Sequence, residues 1–463
     1  MHYVTVSYDH PLDAMRIRFE LMNDGIAVEA GGTAHRIVYP EDVWRHFEAK
    51  TEFAVELVFL HTYGAPFASD DPEVVYDHPE PRFRDRYDEW FRLTLPYLID
   101  RNPSVASRLA PEAVARVTRK FRGERRPADA IRFPQTNDRT AVLALTLGKD
   151  SLASLLIAKE LGLDLSAVYC HPSSASDDPG VRALHLRELG SHLSIPVHVM
   201  RERVEATTSG LLGSTHSTGM MWSMSVAAYV LMMLPFVHHY RAGLLGVGNE
   251  FGLNYPIRVA HLPQTVEMSP LQTTAGTARL DAWIRALTGG ASGVTSLVQS
   301  LHTIGCHKLV HLVRRDIGLH QVSCRKSRGG ANPRWCQECG TCAENYLFIR
   351  SMGRDPASLG FTRTLFDEAS STHFNIVRNG LDDRDPFRFH AARQELLAFD
   401  MALRDDDGSW MARFVRERYG DFIGSHREAL RREYLQPVDR ETPLPLSAEA
   451  VAIARRLLAD CNG

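Results

Sequence analysis

Hydrophobic positions change their period along the chain. Met15, Ile17, Phe19 and Leu21 alternate with Arg16, Arg18, Glu20 and Met22, a period of two that predicts a half-buried strand. Asn23-Asp24-Gly25 supplies a turn and residues 26–29 resume an extended run, so the first sixty residues read as strands. From about 78 to 120 aromatics and charges mix in a helical manner, and the basic stretch 119–129 reads as a linker. From about Pro134 strand, loop and helix succeed one another. Residues 141–146 (AVLALT) form a short unbroken apolar run, as expected of a strand covered on both faces. Helical spacing follows over 151–162 and 181–193, and strands are predicted over 165–169, 196–200 and 242–247. This alternation predicts an α/β fold, a parallel sheet with helices on both faces. The tail after about Asp367 is charged and helix-rich.

Residues 206–240 contain no Asp, Glu, Lys or Arg. Thr215, His216, Ser217 and Thr218 precede the apolar part, and Ser223, Ser225 and Pro235 interrupt it. A helix over about 218–238, buried within a soluble domain, is therefore expected rather than a membrane span. The 463 residues are 44% hydrophobic and 24% charged, which excludes a wholly disordered or collagen-like chain. A net charge of −3 carries no basic excess that would point to nucleic acid as the main partner. Seven cysteines are too few for a disulfide scaffold. The opening MHYVTVSYDHPLD lacks a basic segment followed by an apolar one, and the expected compartment is the cytoplasm.

The hexapeptide Thr146-Leu147-Gly148-Lys149-Asp150-Ser151 lies between a predicted buried strand and a helix. Parallel-sheet proteins bind ligands at the carboxyl ends of strands, where a helix start offers free N–H groups to phosphate oxygens. Gly148 permits close approach of the backbone to an anion, and the hydroxyls of Thr146 and Ser151 can donate to it. Lys149 adds positive charge, and Asp150 can hold Mg²⁺ bound to a polyphosphate. A second loop, Gly246-Val247-Gly248-Asn249-Glu250, follows the fourth strand of this region, and Glu250 is a second candidate carboxylate for the metal.

Four of the seven cysteines, Cys324, Cys336, Cys339 and Cys342, fall within 19 residues as C-x11-C-x2-C-x2-C. Four thiolates suit tetrahedral Zn²⁺, with an iron–sulfur cluster as the competitor for the same ligand set. With all four positions taken by protein, the metal would be structural. Cys170, Cys306 and Cys461 read as core or surface thiols.

The loop at 146–151 resembles the S-G-G-x-D-S pyrophosphatase loop (PP-loop, HUP-like fold) of ATP enzymes that release AMP and pyrophosphate. Thr146 stands for the serine and Leu147 for the first glycine. Residues 246–250 resemble the G-x-N-x-x-D/E stretch of the same superfamily, with Asn249 and Glu250 adjacent. A pyrophosphatase loop followed by C…CxxCxxC is the layout of the 7-cyano-7-deazaguanine synthases. The passages RFPQTNDRTAVLALTLGKDS and CRKSRGGANPRWCQECGTCAENYLF are more similar to the UDP-N-acetylmuramoyl-L-alanyl-L-glutamate epimerase family, over about 130–350. Four regions are expected: β-rich then helical over 1–133, the ATP-binding α/β domain over 134–320, a four-cysteine zinc segment over 321–352 and a helical region over 353–463.

The resemblance implies an isomerase of peptidoglycan biosynthesis that inverts the terminal L-Glu of UDP-MurNAc-L-Ala-L-Glu to D-Glu. ATP and Mg²⁺ would serve an acyl-adenylate step. It implies phosphate binding by Thr146, Gly148, Lys149, Asp150, Ser151, Gly248, Asn249 and Glu250. Inversion needs an acid and a base; His171, Cys170, His216 and Tyr255 are candidates at predicted strand ends or loops. Lys308, Arg314, Arg315, Arg325, Lys326, Arg328 and Arg334 form a basic run that suits either the UDP diphosphate or a solvated rim around zinc. Alternatives are ATP-dependent nitrile or amide formation, tRNA thiolation, and a non-catalytic nucleotide-binding module. No pattern addresses oligomeric state.

Overall fold

The alternation near the start folds into β1 (Met15–Met22), antiparallel to β2 (Gly25–Ala30), which is antiparallel in turn to β3 (Thr33–Val38). A computed structural model describes residues 15–67, 73–101, 106–107, 109–123, 131–171, 179–202, 222–324, 334–403, 408–440 and 442–459. On the outer side of β1 lie β4 (Glu73–Tyr76) and β5 (Thr118–Phe121), both parallel. The stretch expected to be a linker therefore begins as this edge strand.

The central strands are β6 (Asn137–Ala144), β7 (Asp164–His171), β8 (Val197–Glu202) and β9 (Ala242–Val247). A short ribbon of β10 (Ile257–Arg258) and β11 (Thr265–Val266) precedes β12 (Gly293–Ser296). All of β12-β9-β6-β7-β8 pair in parallel, and β3 joins β8 antiparallel through Ile37↔Glu202 and Val38↔Arg201. One ten-stranded sheet thus runs across residue 133. Within its parallel part the chain first steps outward from β6 to β8, then reverses to β9 and β12 on the other side of β6. That reversal opens a crevice between the carboxyl ends of β6 and β9, the position where sheets of this kind bind ligands.

The expectation of strands throughout the first sixty residues fails at Lys50–Thr62, which is a helix. Phe53 through Leu60 are buried without interruption, against the Trp222–Met232 helix and the β-meander. A helix covered on every side shows no 3.6-residue period, so its pattern does not separate it from a buried strand. Of the single helix expected over 218–238, residues 218–221 lie outside the described residues and the rest forms two helices, Trp222–Met232 and Leu234–His239, with Pro235 in the first turn of the second. No helix among the described residues is long and apolar enough to cross a membrane.

Helices cover both faces of the sheet. Trp222–Met232, Thr274–Leu287 and the N-terminal helices cover one; Lys149–Glu160 and Ser447–Ala459 cover the other. Ser447–Ala459 returns from the far end of the chain onto Lys149–Glu160, where Arg456 pairs with Glu160 at 2.7 Å. A third core joins Gly340–Ser351, Pro386–Ala402 and Trp410–Tyr434 with Trp335, Cys324 and Cys342.

Candidate functional site

At the crevice, Leu147 carries φ = +60° and its side chain is fully buried beneath the loop, in the core shared with the following helix. A left-handed residue that is not glycine costs roughly 1–2 kcal/mol. It reverses the chain so that Gly148 becomes the N-cap of helix Lys149–Glu160. The loop is braced from within: Ser151 Oγ donates to Gly148 O at 3.0 Å, Thr146 N donates to Ser151 Oγ at 3.2 Å, and Gly148 N lies 3.4 Å from Thr146 Oγ1. The first-turn amides have no partner along the helix.

Gly248, in the turn after β9, approaches this loop closely. A Cβ there would stand 3.2 Å from Ser151 N and 3.3 Å from the Asp150 carbonyl carbon. The two loops therefore form one surface, and Glu250 comes beside Asp150 and Lys149. Glu250 accepts from Gly252 N at 2.8 Å and lies 3.4 Å from Thr303 Oγ1. Burial and the charge of Asp150 push its carboxyl up to about 7, against the pull of Lys149.

A third carboxylate arrives from Glu344 on helix Gly340–Ser351, two residues after Cys342. Burial raises it above the ordinary range, and Lys149 pulls it down. Lys149 Nζ donates to Asp150 Oδ2 at 3.0 Å. Burial disfavours its ammonium, yet Asp150, Glu344 and Glu250 outweigh burial and hold it above its usual value. Asp150 Oδ1 is buried without a hydrogen-bond partner. Three acids against one ammonium leave two negative charges when all are ionised, on hard oxygen donors of the kind Mg²⁺ takes. Cys306 lies beneath them, its thiol kept neutral by burial and by Asp150 and Glu250.

The four cysteines come together as expected: their sulfurs all lie within 4.8 Å of one another, with Cys336 and Cys342 at 3.7 Å. Gln337, at φ = +59°, turns the chain so that its N–H donates to Cys342 Sγ at 3.4 Å. Cys339 caps helix Gly340–Ser351. Hydrogen bonds from Cys324 and Cys342 pull the Cys339 thiol down to about 4, while Cys342 is pushed up. Four thiols gathered this closely are a donor set that fits one divalent soft metal.

The cysteine segment is also a wall of the crevice. Buried Arg182 donates to Thr146 O at 2.9 Å, Val322 O at 2.8 Å and Cys324 O at 2.8 Å. Ser323 Oγ lies 4.0 Å from the position of a Cβ on Gly148. One guanidinium thus joins the loop after β6 to the first cysteine of the cluster, a junction its five fixed donors suit.

Of the residues expected at the site, Thr146, Gly148, Lys149, Asp150, Ser151, Gly248 and Glu250 converge. Asn249 does not face the crevice: its amide is held by Thr277 Oγ1 at 2.9 Å and Gln272 at 3.4 Å, and it fixes the loop to helix Thr274–Leu287. Tyr255 stacks on His390 with centroids 3.6 Å apart; burial, Glu433 and Glu250 raise its phenol. Cys170 turns to the face packed by the N-terminal half. His171 ends β7, and its side chain, like all of His216, lies outside the described residues. The basic run does not form a common patch among its described members. Lys308 is buried and donates to Leu458 O at 3.1 Å, Arg314 forks onto Asp316 at 3.0 and 2.8 Å, and Arg334 donates to Gln321 O and Leu319 O. Arg325, Lys326 and Arg328 lie outside the described residues.

Sequence reasoning missed Glu344, Arg182, Ser323 and Cys306. Glu344 carried one usable signal, an acid two positions after the last cysteine of the cluster, near a helix start. Compared with known proteins, the chain finds no match: no family model, no curated protein and no solved structure.

Proposed function

We propose that the chain is an ATP-dependent adenylating enzyme whose nucleotide lies in the crevice between β6 and β9. The observation that carries this reading is the convergence of the Gly148–Ser151 helix start with the Asp150, Glu250 and Glu344 carboxylates. Main-chain amides there favour phosphate oxygens, and the carboxylates suit the magnesium that accompanies a nucleoside triphosphate. Lys149 can turn from Asp150 toward a phosphate when Mg²⁺ takes over the acids. The left-handed Leu147 supports the same reading, because it keeps the backbone that glycine would allow while its side chain stays beneath the loop.

The finer reading follows the resemblance: the acceptor is UDP-N-acetylmuramoyl-L-alanyl-L-glutamate, and the product carries D-Glu. A glutamate carboxylate oxygen would attack the α-phosphorus of ATP, and pyrophosphate would leave with the electrons of the broken P–O bond. Adenylation removes the negative charge that makes the α-proton so weakly acidic. A base takes the proton, N–H donors or positive charge steady the enolate, and an acid returns a proton to the opposite face. Water then releases AMP and the free carboxylate. His171 and His216 remain the candidates for proton transfer, since Tyr255 is held against His390 and Cys170 turns to the face packed by the N-terminal half. Zinc held by Cys324, Cys336, Cys339 and Cys342 would fix the helix that carries Glu344, and Mg²⁺ would neutralise the departing phosphates.

Incubating the chain with this L-Glu substrate, ATP and Mg²⁺ should yield AMP, pyrophosphate and D-Glu in equal amounts. Formation of ADP would remove the adenylation reading. AMP formed only with ammonia and a different carboxylate would move the assignment to nitrile or amide synthesis.

A further inference from the structure

Outside the crevice, a second group of metal-ligand side chains meets at the junction of two elements. His185 and Glu188 are three residues apart on helix Pro179–Leu193 and therefore share one face. His320 comes from the segment after the short helix Arg315–Gly318, four residues before Cys324. The ligand atoms of all three lie within 4.8 Å of one another. His185 Nδ1 stands 3.7 Å from Glu188 Oε2, and His320 Nδ1 stands 3.8 Å from the same oxygen. Both distances are too long for hydrogen bonds. Both Nδ1 atoms are buried and without a hydrogen-bond partner. The rings are nearly perpendicular, 76° apart with centroids at 5.7 Å, so the nitrogens converge from two directions onto the carboxylate.

We propose that His185, Glu188 and His320 bind a divalent zinc-like metal, separate from the four cysteines, that clamps helix Pro179–Leu193 to the segment leading into the cysteine cluster. Two imidazoles and one carboxylate make a borderline-soft set of two nitrogens and one oxygen, with water completing four-coordination. Tetrahedral zinc with bonds of about 2.0–2.2 Å sets ligand atoms roughly 3.3–3.5 Å apart, so the two histidine–carboxylate edges of 3.7 and 3.8 Å need to contract by only a few tenths of an ångström. Burial and the neighbouring Arg334 keep His185 neutral, the form that ligates. Burial lowers His320 too, and His192 and Arg334 add to it against the opposing pull of Glu188 and Asp316. A bound metal would replace two orphaned nitrogens and a half-exposed acid with three bonds.

The clamp has a consequence for the crevice. Arg182, one turn before His185 on the same helix, holds the carbonyls of Thr146, Val322 and Cys324. A metal at His320 fixes the other end of the 319–324 segment that Arg182 grips. Binding there would steady the wall of the loop around Gly148 without touching a ligand in it. The inference is independent of the adenylation reading, because its test reads metal and backbone rather than turnover.

The test uses the full chain, with its tightly held metal retained, dialysed against a weak chelator and titrated with Zn²⁺ against a chromophoric competitor. Wild type should take one further equivalent, weaker than the cysteine-bound one. Glu188→Gln, at a half-exposed position where folding is not at stake, should weaken that equivalent by at least roughly tenfold. His185→Ala with His320→Ala should abolish it. Co²⁺ added in place of Zn²⁺ should show d–d bands without the sulfur-to-metal charge transfer of a thiolate site. Zn²⁺ should slow amide exchange at 319–324 in wild type and not in Glu188→Gln. No further equivalent in wild type, or one that survives in both variants, overturns the proposal. Charge-transfer bands on the extra equivalent would also do so, by placing it at thiolates.

Discussion

Val322 N donates to Leu147 O at 2.8 Å. The hydrogen bond joins the segment that delivers the cysteines to the left-handed residue at the centre of the loop after β6. The four-cysteine segment and the loop after β6 are therefore one structural unit, although they lie far apart along the chain.

Leu147→Gly tests how the loop is held. Glycine removes a left-handed penalty of about 1–2 kcal/mol but deletes a buried side chain worth about 2–5 kcal/mol. The variant should be less stable by about 1–3 kcal/mol in denaturant unfolding. Its AMP formation in native buffer should stay within a few-fold of wild type, since the backbone path is one that glycine readily adopts. A large loss of turnover in a folded variant would mean that the leucine side chain, not the backbone, serves the site.

Glu344→Gln and Asp150→Asn should each lower pyrophosphate release by about 10²-fold and raise the Mg²⁺ concentration for half-maximal rate. Zinc content and the far-UV spectrum should be unchanged. Glu344 is the sharper test because no recognisable motif contains it.

Arg182→Lys keeps the charge and loses the fork. Three carbonyls then compete for one ammonium, and a buried acceptor left unpaired costs about 1–3 kcal/mol. Stability should fall by about 2–4 kcal/mol in a denaturant titration, and amide exchange should rise together at 146–148 and 322–324. Exchange that rises in only one of these stretches would contradict the junction.

Without added Mg²⁺, stability should be nearly flat between about pH 4.5 and 6.5 and fall above it. Buried His61, His302 and His311 are pushed down to about 4, so at these groups the unfolded chain binds more protons than the folded one between about 4 and 6.5, and their contribution to stability rises with pH there. Glu56 and Glu250 are pushed up to about 7 and Glu395 to about 8, chiefly by burial. Their contribution is full below the unfolded value near about 4.5 and is lost as pH rises through about 7 to 8. The histidines act with the opposite sign below about 6.5, and above it the carboxyls titrate against no such opposition. Denaturation midpoints from about pH 5 to 8.5 should trace this plateau and the fall above about 6.5, and Mg²⁺ should lessen the fall by stabilising ionised Glu250.

Removing the cysteine-bound metal with a strong chelator, or Cys339→Ser, should lower the melting temperature and abolish pyrophosphate release, because Glu344 lies one helical half-turn beyond Cys342. Elemental analysis should find zinc; iron with acid-labile sulfide would reassign the cluster.

The parallel strands, the loop at 146–151 and the four-cysteine cluster were legible in the linear chain. Each rests on local chemistry: a two-sided apolar run, a glycine at a helix start, thiols closely spaced. Folding alone revealed that Lys50–Thr62 is a helix, since full burial erased its period. It likewise turned Asn249 away from the crevice toward Thr277, set Lys308 on a buried carbonyl, and brought Glu344 and Arg182 to the loop. Those outcomes depend on which surfaces meet across distant parts of the chain, and a side chain's partner at long range leaves no trace in its own neighbours along the sequence.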